Sequence, residues 1–194
     1  GDLADHGDVA SYERLKQTMA DCPYPWLPLV GNHDERANFH AVYPGYADGD
    51  GFVQYVRECG DMRLVIVDTL DEGRHGGAFC AQRAAWLDAR LAEAPETPTY
   101  IVMHHPPLTC GIEWMNTDPD EPWVQAFSAV LSGHPQVRGL ICGHLHRSVT
   151  AAWQGRTVAI CSSTAPQVTA DFTPIDSERP DERAMIQAEE PAYA

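Results

Sequence analysis

The chain has 194 residues, 44% hydrophobic and 21% charged, a balance that excludes a disordered or fibrous protein and fits one soluble domain, or most of one, with a sizeable core. Thirteen Lys and Arg against 28 Asp and Glu leave a net charge of −15, which argues against a nucleic-acid polymer or an anionic membrane as partner. No run approaches the ~18 consecutive apolar residues of a membrane span. Six cysteines stand singly, with no C-x-x-C pair, so neither a disulfide framework nor a zinc knuckle is expected and a reducing cytoplasm is the expected location. The sequence opens Gly1-Asp2-Leu3 without a leader, so any targeting peptide would lie outside these residues.

Ser11 to Met19 reads as a short helix, and the run Trp26 to Val30 after Pro23 and Pro25 as a strand. A second short helix is expected around Glu35 to Val42. Strands follow at Gly51 to Val56 and Met62 to Asp68. Cys80 to Ala94 places Ala84, Trp86, Leu87 and Leu91 at helical spacing and is the clearest amphipathic helix. Thr99 to Met103 is a short strand, Glu121 to Leu131 a helix, and Val137 to Cys142 a strand. Val149 to Trp153 and Val158 to Cys161 form a hairpin around Gln154-Gly155. The alternation gives an α/β domain with some antiparallel pairing over residues 1–170. From Asp171 to Glu190 the sequence turns polar and Pro-rich, reading as a loop, and residues 171–194 form a separate polar C-terminal segment.

Three apolar strands end in turns crowded with His, Asn and Asp: Val30 into Gly31-Asn32-His33-Asp34, Met103 into His104-His105-Pro106-Pro107, and Cys142 into Gly143-His144-Leu145-His146. Ligands gather beyond the carboxyl ends of strands in an α/β sheet, so these turns, with Gly1-Asp2 as a fourth, are expected to converge. Nitrogen and oxygen donors of this kind suit first-row metals such as Fe, Mn, Zn or Co better than Ca or Mg. His144 and His146, two residues apart in extended chain, project to one side and can each serve one of two closely spaced ions.

Taken together, Gly1-Asp2-Leu3-Ala4-Asp5, Gly31-Asn32-His33-Asp34, His104-His105-Pro106-Pro107 and Gly143-His144-Leu145-His146 resemble the calcineurin-like metallophosphoesterase superfamily in order and spacing. The His-His-Pro-Pro form is most similar to class III cyclic-nucleotide phosphodiesterases and glycerophosphodiesterases. The resemblance implies an α/β fold of two mixed β-sheets in a sandwich flanked by helices. It also implies two divalent or mixed-valence first-row ions and hydrolysis of a small phosphodiester by a hydroxide held between them. Asp2 would be the bridging carboxylate, Asn32, His104 and His144 would complete the second metal, and His146 would belong to the first. His33 would be the catalytic residue facing the phosphate, with Asp34 behind it, hydrogen-bonding the phosphoryl group or protonating the leaving alkoxide.

The sequence departs from that pattern at its start. The family opens with a β-α-β unit whose first strand ends in Asp-x-His, supplying two first-metal ligands, and no such motif ends a strand here, since Asp5-His6 is adjacent. A partial sequence is therefore expected, with Glu190-Pro191-Ala192-Tyr193 similar to a stretch that precedes a further strand in relatives. Two rival functions stay open. A phosphomonoesterase is disfavoured because His6-Gly7 follows Asp5 where that branch carries Arg-Gly, and an impaired metal-binding fragment is suggested by the absent Asp-x-His. His105 is read as packing or hydrogen-bonding rather than ligating, and His6, His40, His75 and His134 as surface or loop-end residues. Asp5 is read either as a supporting carboxylate or as a helix N-cap. The loop Thr109 to Glu121, with Trp114 and Met115 in it and Trp123 just after, is the candidate specificity wall. The expected partner is a small phosphodiester, and the number of subunits stays open, a homo-oligomer included.

Overall fold

The apolar runs of the sequence become the middle strands of one mixed sheet in a computed structural model that describes residues 1–176 and 182–190. Strands β2 (Met62–Ile66), β3 (Thr99–Val102), β4 (Val137–Cys142) and β6 (Arg156–Ile160) run parallel. Strands β1 (Tyr55–Cys59) and β5 (Val149–Trp153) add antiparallel edges, giving the order β1-β2-β3-β4-β6-β5. One face is fixed by a single row in register, Val65, Ile101, Leu140 and Val158, each at most 1% exposed. Helices α3 (Ala81–Ala92) and α4 (Pro122–Ser132) cover that row with Leu87, Leu91, Val124, Phe127 and Leu131, so burial of apolar area drives this half of the fold. The opposite face presents Leu64, Tyr100, Val102, Ile141 and Ala159, all partly exposed.

A second, smaller core joins α1 (Val9–Met19) and α2 (Arg36–Val42). Tyr12, Phe39, Val42 and Tyr43 pack there with Val30, Val53 and Leu70 from the surrounding loops. Helix α1 starts where Asp8 accepts a hydrogen bond from Ser11 N at 2.9 Å, so the N-cap is Asp8 and not Asp5. The hairpin β5–β6 turns on Gln154 and Gly155, both at positive φ as a two-residue type I′ turn requires.

The mixed α/β class flanked by helices holds. Of the two sheets expected, the larger is the six-stranded one. The other sheet among the described residues is the antiparallel pair β7 (Gln167–Val168) and β8 (Ile186–Gln187). This pair places a strand inside the stretch read as a loop, a two-residue element too short to leave a pattern. Trp26 to Val30 is extended but joins no ladder, because Pro25 and Pro28 carry no N–H to donate. The segment expected as a strand from Gly51 begins its ladder at Tyr55, with only an isolated bridge at Val53. Residues 191–194, part of the Glu190 to Tyr193 motif, lie outside the described residues. Among the described residues no helix is long and apolar enough to cross a membrane.

The two cores are tied by one buried ion cluster. Asp68, fully buried just after β2, accepts from Arg36 Nε at 2.8 Å and Nη2 at 2.7 Å, and from Val53 N and Leu70 N at 2.9 Å. Arg83 of α3 donates to the carbonyls of Asp68 and Leu70, each at 3.1 Å. Removing the carboxylate strands two largely buried guanidinium groups, so Asp68→Ala is expected to cost about 3–5 kcal/mol of stability. A urea titration checks this, and a loss below about 1 kcal/mol would show that the cluster does not hold the cores together.

Candidate metal centre

The centre lies where the parallel strands end. β3 runs into His104-His105 and β4 into Gly143-His144, and the ladder continues past both strands, with Met103 N donating to Ile141 O and Gly143 N to His104 O, each at 3.0 Å. The two histidine turns are thereby fixed side by side. The other half comes from loops of the smaller core. There the buried carboxylate of Asp34 accepts from Gly31 N at 2.8 Å, from Leu3 N at 3.1 Å, from Ala4 N at 3.2 Å and from the Tyr12 hydroxyl at 2.9 Å. Tyr12 in turn accepts from Glu35 N at 3.0 Å. Asp34 therefore clamps the Asp2 loop against the Asn32 loop and does not stand behind His33, because its oxygens are consumed by backbone donors.

Five of the six sequence-predicted site residues come together. His104 Nε2 lies 3.1 Å from Asp2 Oδ2, 3.2 Å from Asn32 Oδ1 and 3.3 Å from His144 Nδ1. His33 N donates to Asp2 Oδ1 at 3.0 Å. The sixth, His146, lies close enough to influence His104 and His144 electrostatically. Its Nδ1 donates to Pro166 O at 2.7 Å, which fixes the tautomer and leaves Nε2 as a lone pair. Asp2, His144 and His146 all hold positive φ, at 55°, 68° and 54°. Non-glycine residues rarely adopt this conformation, and the strain of order 1 kcal/mol or more at each is the kind that accumulates at functional sites.

The donor set fits a cation. His104 Nε2 can carry at most one hydrogen, yet the oxygens of Asp2 and Asn32 and the ring nitrogen of His144 crowd it within 3.3 Å. A positive ion would satisfy the surplus. The backbone is shaped around the same point: a Cβ on Gly31 would sit 2.2 Å from Asp2 Oδ1 and 2.7 Å from His104 Cε1, so only glycine lets the carboxylate and imidazole approach. Burial disfavours the charged form of Asp2, but the His104 contact and the His33 N–H outweigh it and hold the carboxyl below the usual carboxylate range. Burial lowers His104 to about 4 against the pull of Asp2, and burial with the neighbouring imidazoles pushes His105 and His144 well down. The rings are neutral at physiological pH, as ligation requires.

Three further residues lie close to these. His105, taken as packing, hydrogen-bonds Thr69 Oγ1 through Nδ1 at 2.8 Å, and its buried Nε2 has no partner among the described residues. Ligand atoms of His104, His105 and His144 lie within 4.8 Å of one another. His75, taken as a loop-end residue, packs its ring 4.7 Å from that of His144 and 6.2 Å from that of Trp114. Its isolated Gly-rich loop carried no motif that would have flagged it. Asp5 proves to be the carboxylate beside His33: the His33 Nδ1–H donates to the Asp5 carbonyl at 2.9 Å, with Asp5 Oδ1 at 3.5 Å. A cleft of about 740 Å³ opens in front, lined by Asp5, Asn32, His33, Glu72, Arg74 and His75.

Other expectations change as well. In the loop Thr109 to Glu121, Met115 is only 4% exposed and belongs to the main core with Trp123, leaving Trp114 as the aromatic ring turned toward the centre through His75. His134 stands in the loop that follows α4, one of the two placements expected for it, but is buried there and pairs with Asp88 at 2.8 Å. All six cysteines are free thiols.

Comparison with known proteins agrees with this geometry. The family model described as calcineurin-like phosphoesterase matches residues 1–148. A protein of Rhodopseudomonas palustris named as a probable cyclic nucleotide phosphodiesterase is 36% identical over 180 residues, covering 89% of this chain and 64% of the relative. The 3′,5′-cyclic adenosine monophosphate phosphodiesterase CpdA of Escherichia coli K12 is 28% identical over 86% of this chain and 60% of its own length. A glycerophosphodiester phosphodiesterase GpdQ of Arcobacter nitrofigilis, also named as probable, is 28% identical over 99% of this chain and 69% of its own. The chain thus spans about two thirds of the length of these relatives. A solved dimetal phosphatase from Danio rerio shares the fold, with a TM-score of 0.64 and 17% identity over 80% of this chain and 69% of that one. With the motifs in order, the donor atoms converged and the family model matched across most of its length, the chain belongs to the calcineurin-like phosphoesterase family.

Proposed function

We propose that this chain carries the metal-holding and substrate-facing side chains of a hydrolase that cuts a small phosphodiester, a cyclic nucleotide or a glycerophosphodiester. The observation that carries this reading is the crowding of Asp2, Asn32 and His144 around His104 Nε2 within 3.3 Å. The names of the relatives favour a diester, as does His6-Gly7 following Asp5 in place of Arg-Gly. Free thiols throughout suit a reducing compartment such as the cytoplasm.

Asp2, Asn32, His104 and His144 would hold one first-row ion, and Asp2 with His146 would contribute to a second. Bound divalent ions supply Lewis acidity, offsetting charge on the phosphate oxygens and making water acidic enough to ionise near neutral pH. Asp2 contributes an ionised carboxylate at any working pH. His33 is oriented by the Asp5 carbonyl so that Nε2 points away from Asp5. In its protonated form the ring offers Nε2–H to a phosphoryl oxygen or to the departing alkoxide, a contribution of typically 10²–10⁴-fold. His75 walls the same cleft, backed by Trp114, and can confine the group attached to the phosphate.

With Mn²⁺ added, the chain is expected to hydrolyse bis(p-nitrophenyl) phosphate faster than p-nitrophenyl phosphate. The reverse order would assign a monoesterase, and silence toward both would leave a metal-binding scaffold. His33→Ala should keep its metal content, measured by elemental analysis, while kcat falls about 10²–10⁴-fold; unchanged turnover would remove His33 from the reaction. Asp2→Asn keeps an oxygen for the His33 N–H but loses the charge. Its Mn²⁺ affinity in isothermal titration calorimetry should fall by more than the roughly 10–100-fold typical of losing a supporting partner.

A further inference from the structure

The turn that ends β4 carries two consecutive side chains to the same neighbour. In extended chain successive side chains point to opposite sides, but His146 holds φ at 54°, and this breaks the alternation. His146 and Arg147 therefore reach one stretch together. His146 Nδ1 donates to Pro166 O at 2.7 Å, and Arg147 Nε donates to Val168 O. Pro166 and Val168 stand two residues apart in the extended stretch around Gln167, so their carbonyls face the same way. Gln167, only 3% exposed, stiffens that stretch by donating from Nε2 to Ser163 O at 2.8 Å and Ala165 O at 3.1 Å. Arg147 also reaches past β8: its Nη1 and Nη2 donate to the two Glu189 oxygens at 2.8 and 3.0 Å, a two-pronged contact between residues 42 apart in the chain. Both residues of β8 are exposed, so apolar burial does not explain why it docks there.

We propose that Arg147 is a positioning residue: by gripping Val168 and Glu189 it fixes the stretch on which the His146 ring depends, and so presents the His146 Nε2 lone pair to the metal centre. The use of that lone pair rests on reading His146 as a ligand, whereas the orientation of the ring does not. A left-handed backbone at a non-glycine residue persists only where its surroundings over-determine it. Leu145, buried in the main core, fixes one side of this turn. On the other side Ser148 is exposed, and the Arg147 grip supplies what burial does not. A guanidinium fork on a carboxylate and a carbonyl sets direction as well as distance, which a single N–H donor does not. The pair is partly exposed, at 21% for Arg147 and 38% for Glu189, so it adds little to global stability. Its loss should loosen the ring without unfolding the domain.

The intact chain is labelled with nitrogen-15 histidine, and long-range proton–nitrogen NMR spectra at about pH 8, where an ordinary imidazole is neutral, report the tautomer of each ring. His146 should favour the Nδ1–H form by about tenfold, as one good hydrogen bond provides. In Arg147→Gln that preference should fall to about threefold or less, with the urea midpoint near that of the wild type. Glu189→Gln keeps one acceptor oxygen for the guanidinium and should fall between the two. A preference unchanged in both variants overturns the proposal, and so does a wild-type ring that favours Nε2–H. Should Arg147→Gln fail to fold, the wild-type spectrum and Glu189→Gln decide alone, an unchanged preference in the latter overturning the proposal. Titration of His146→Ala with Mn²⁺ tests the ligand reading separately: undiminished binding removes His146 from the ligand set, while the tautomer still decides whether Arg147 orients the ring.

Discussion

The centre depends on one buried carboxylate that takes no part in it directly. Asp34 gathers three backbone N–H groups and a tyrosine hydroxyl, drawn from loops about 30 residues apart. Satisfying those donors in a dry interior requires the acceptor, since each unpaired buried group would cost about 1–3 kcal/mol. Because Leu3, Ala4 and Gly31 must point their N–H groups at the same oxygens, Asp2 and Asn32 are forced onto neighbouring positions. Glycine at 31 then removes the last obstacle between Asp2 and His104.

The other half of the centre rests on a different force. Apolar burial along the row Val65, Ile101, Leu140 and Val158 aligns the parallel strands, and their ends carry His104 and His144 to one edge. The Asp68 cluster locks this sheet-borne half to the loop-borne half through Arg36 and Arg83. Arg83 thereby connects the joint between the cores to the start of α3.

Much of this was legible because its signals are local. The helix Ala81–Ala92 follows from apolar spacing, β4 from a continuous apolar run, and the β5–β6 turn from Gln154-Gly155. Asp2, Asn32, His33, His104, His144 and His146 stand out as candidates because each sits in a short motif at a turn. His75 was missed because it stands in a Gly-rich loop with no partner in sequence, and only the fold brings its ring against His144. His105 is buried and hydrogen-bonded to Thr69, as a histidine beside a candidate ligand commonly is, and the fold alone sets its distance from His104 and His144.

What the sequence determined by itself was the set of donor atoms and the periodicities that make helices and strands, since both depend on neighbours within a few residues. Only the tertiary structure decided which oxygen serves which partner, with the Asp34 carboxylate clamping backbone N–H groups and the Asp5 backbone carbonyl orienting His33. It alone withdrew Met115 into the main core. The physical reason is that hydrogen-bond allotment and burial are settled by groups distant in the chain, competing for the same few buried positions.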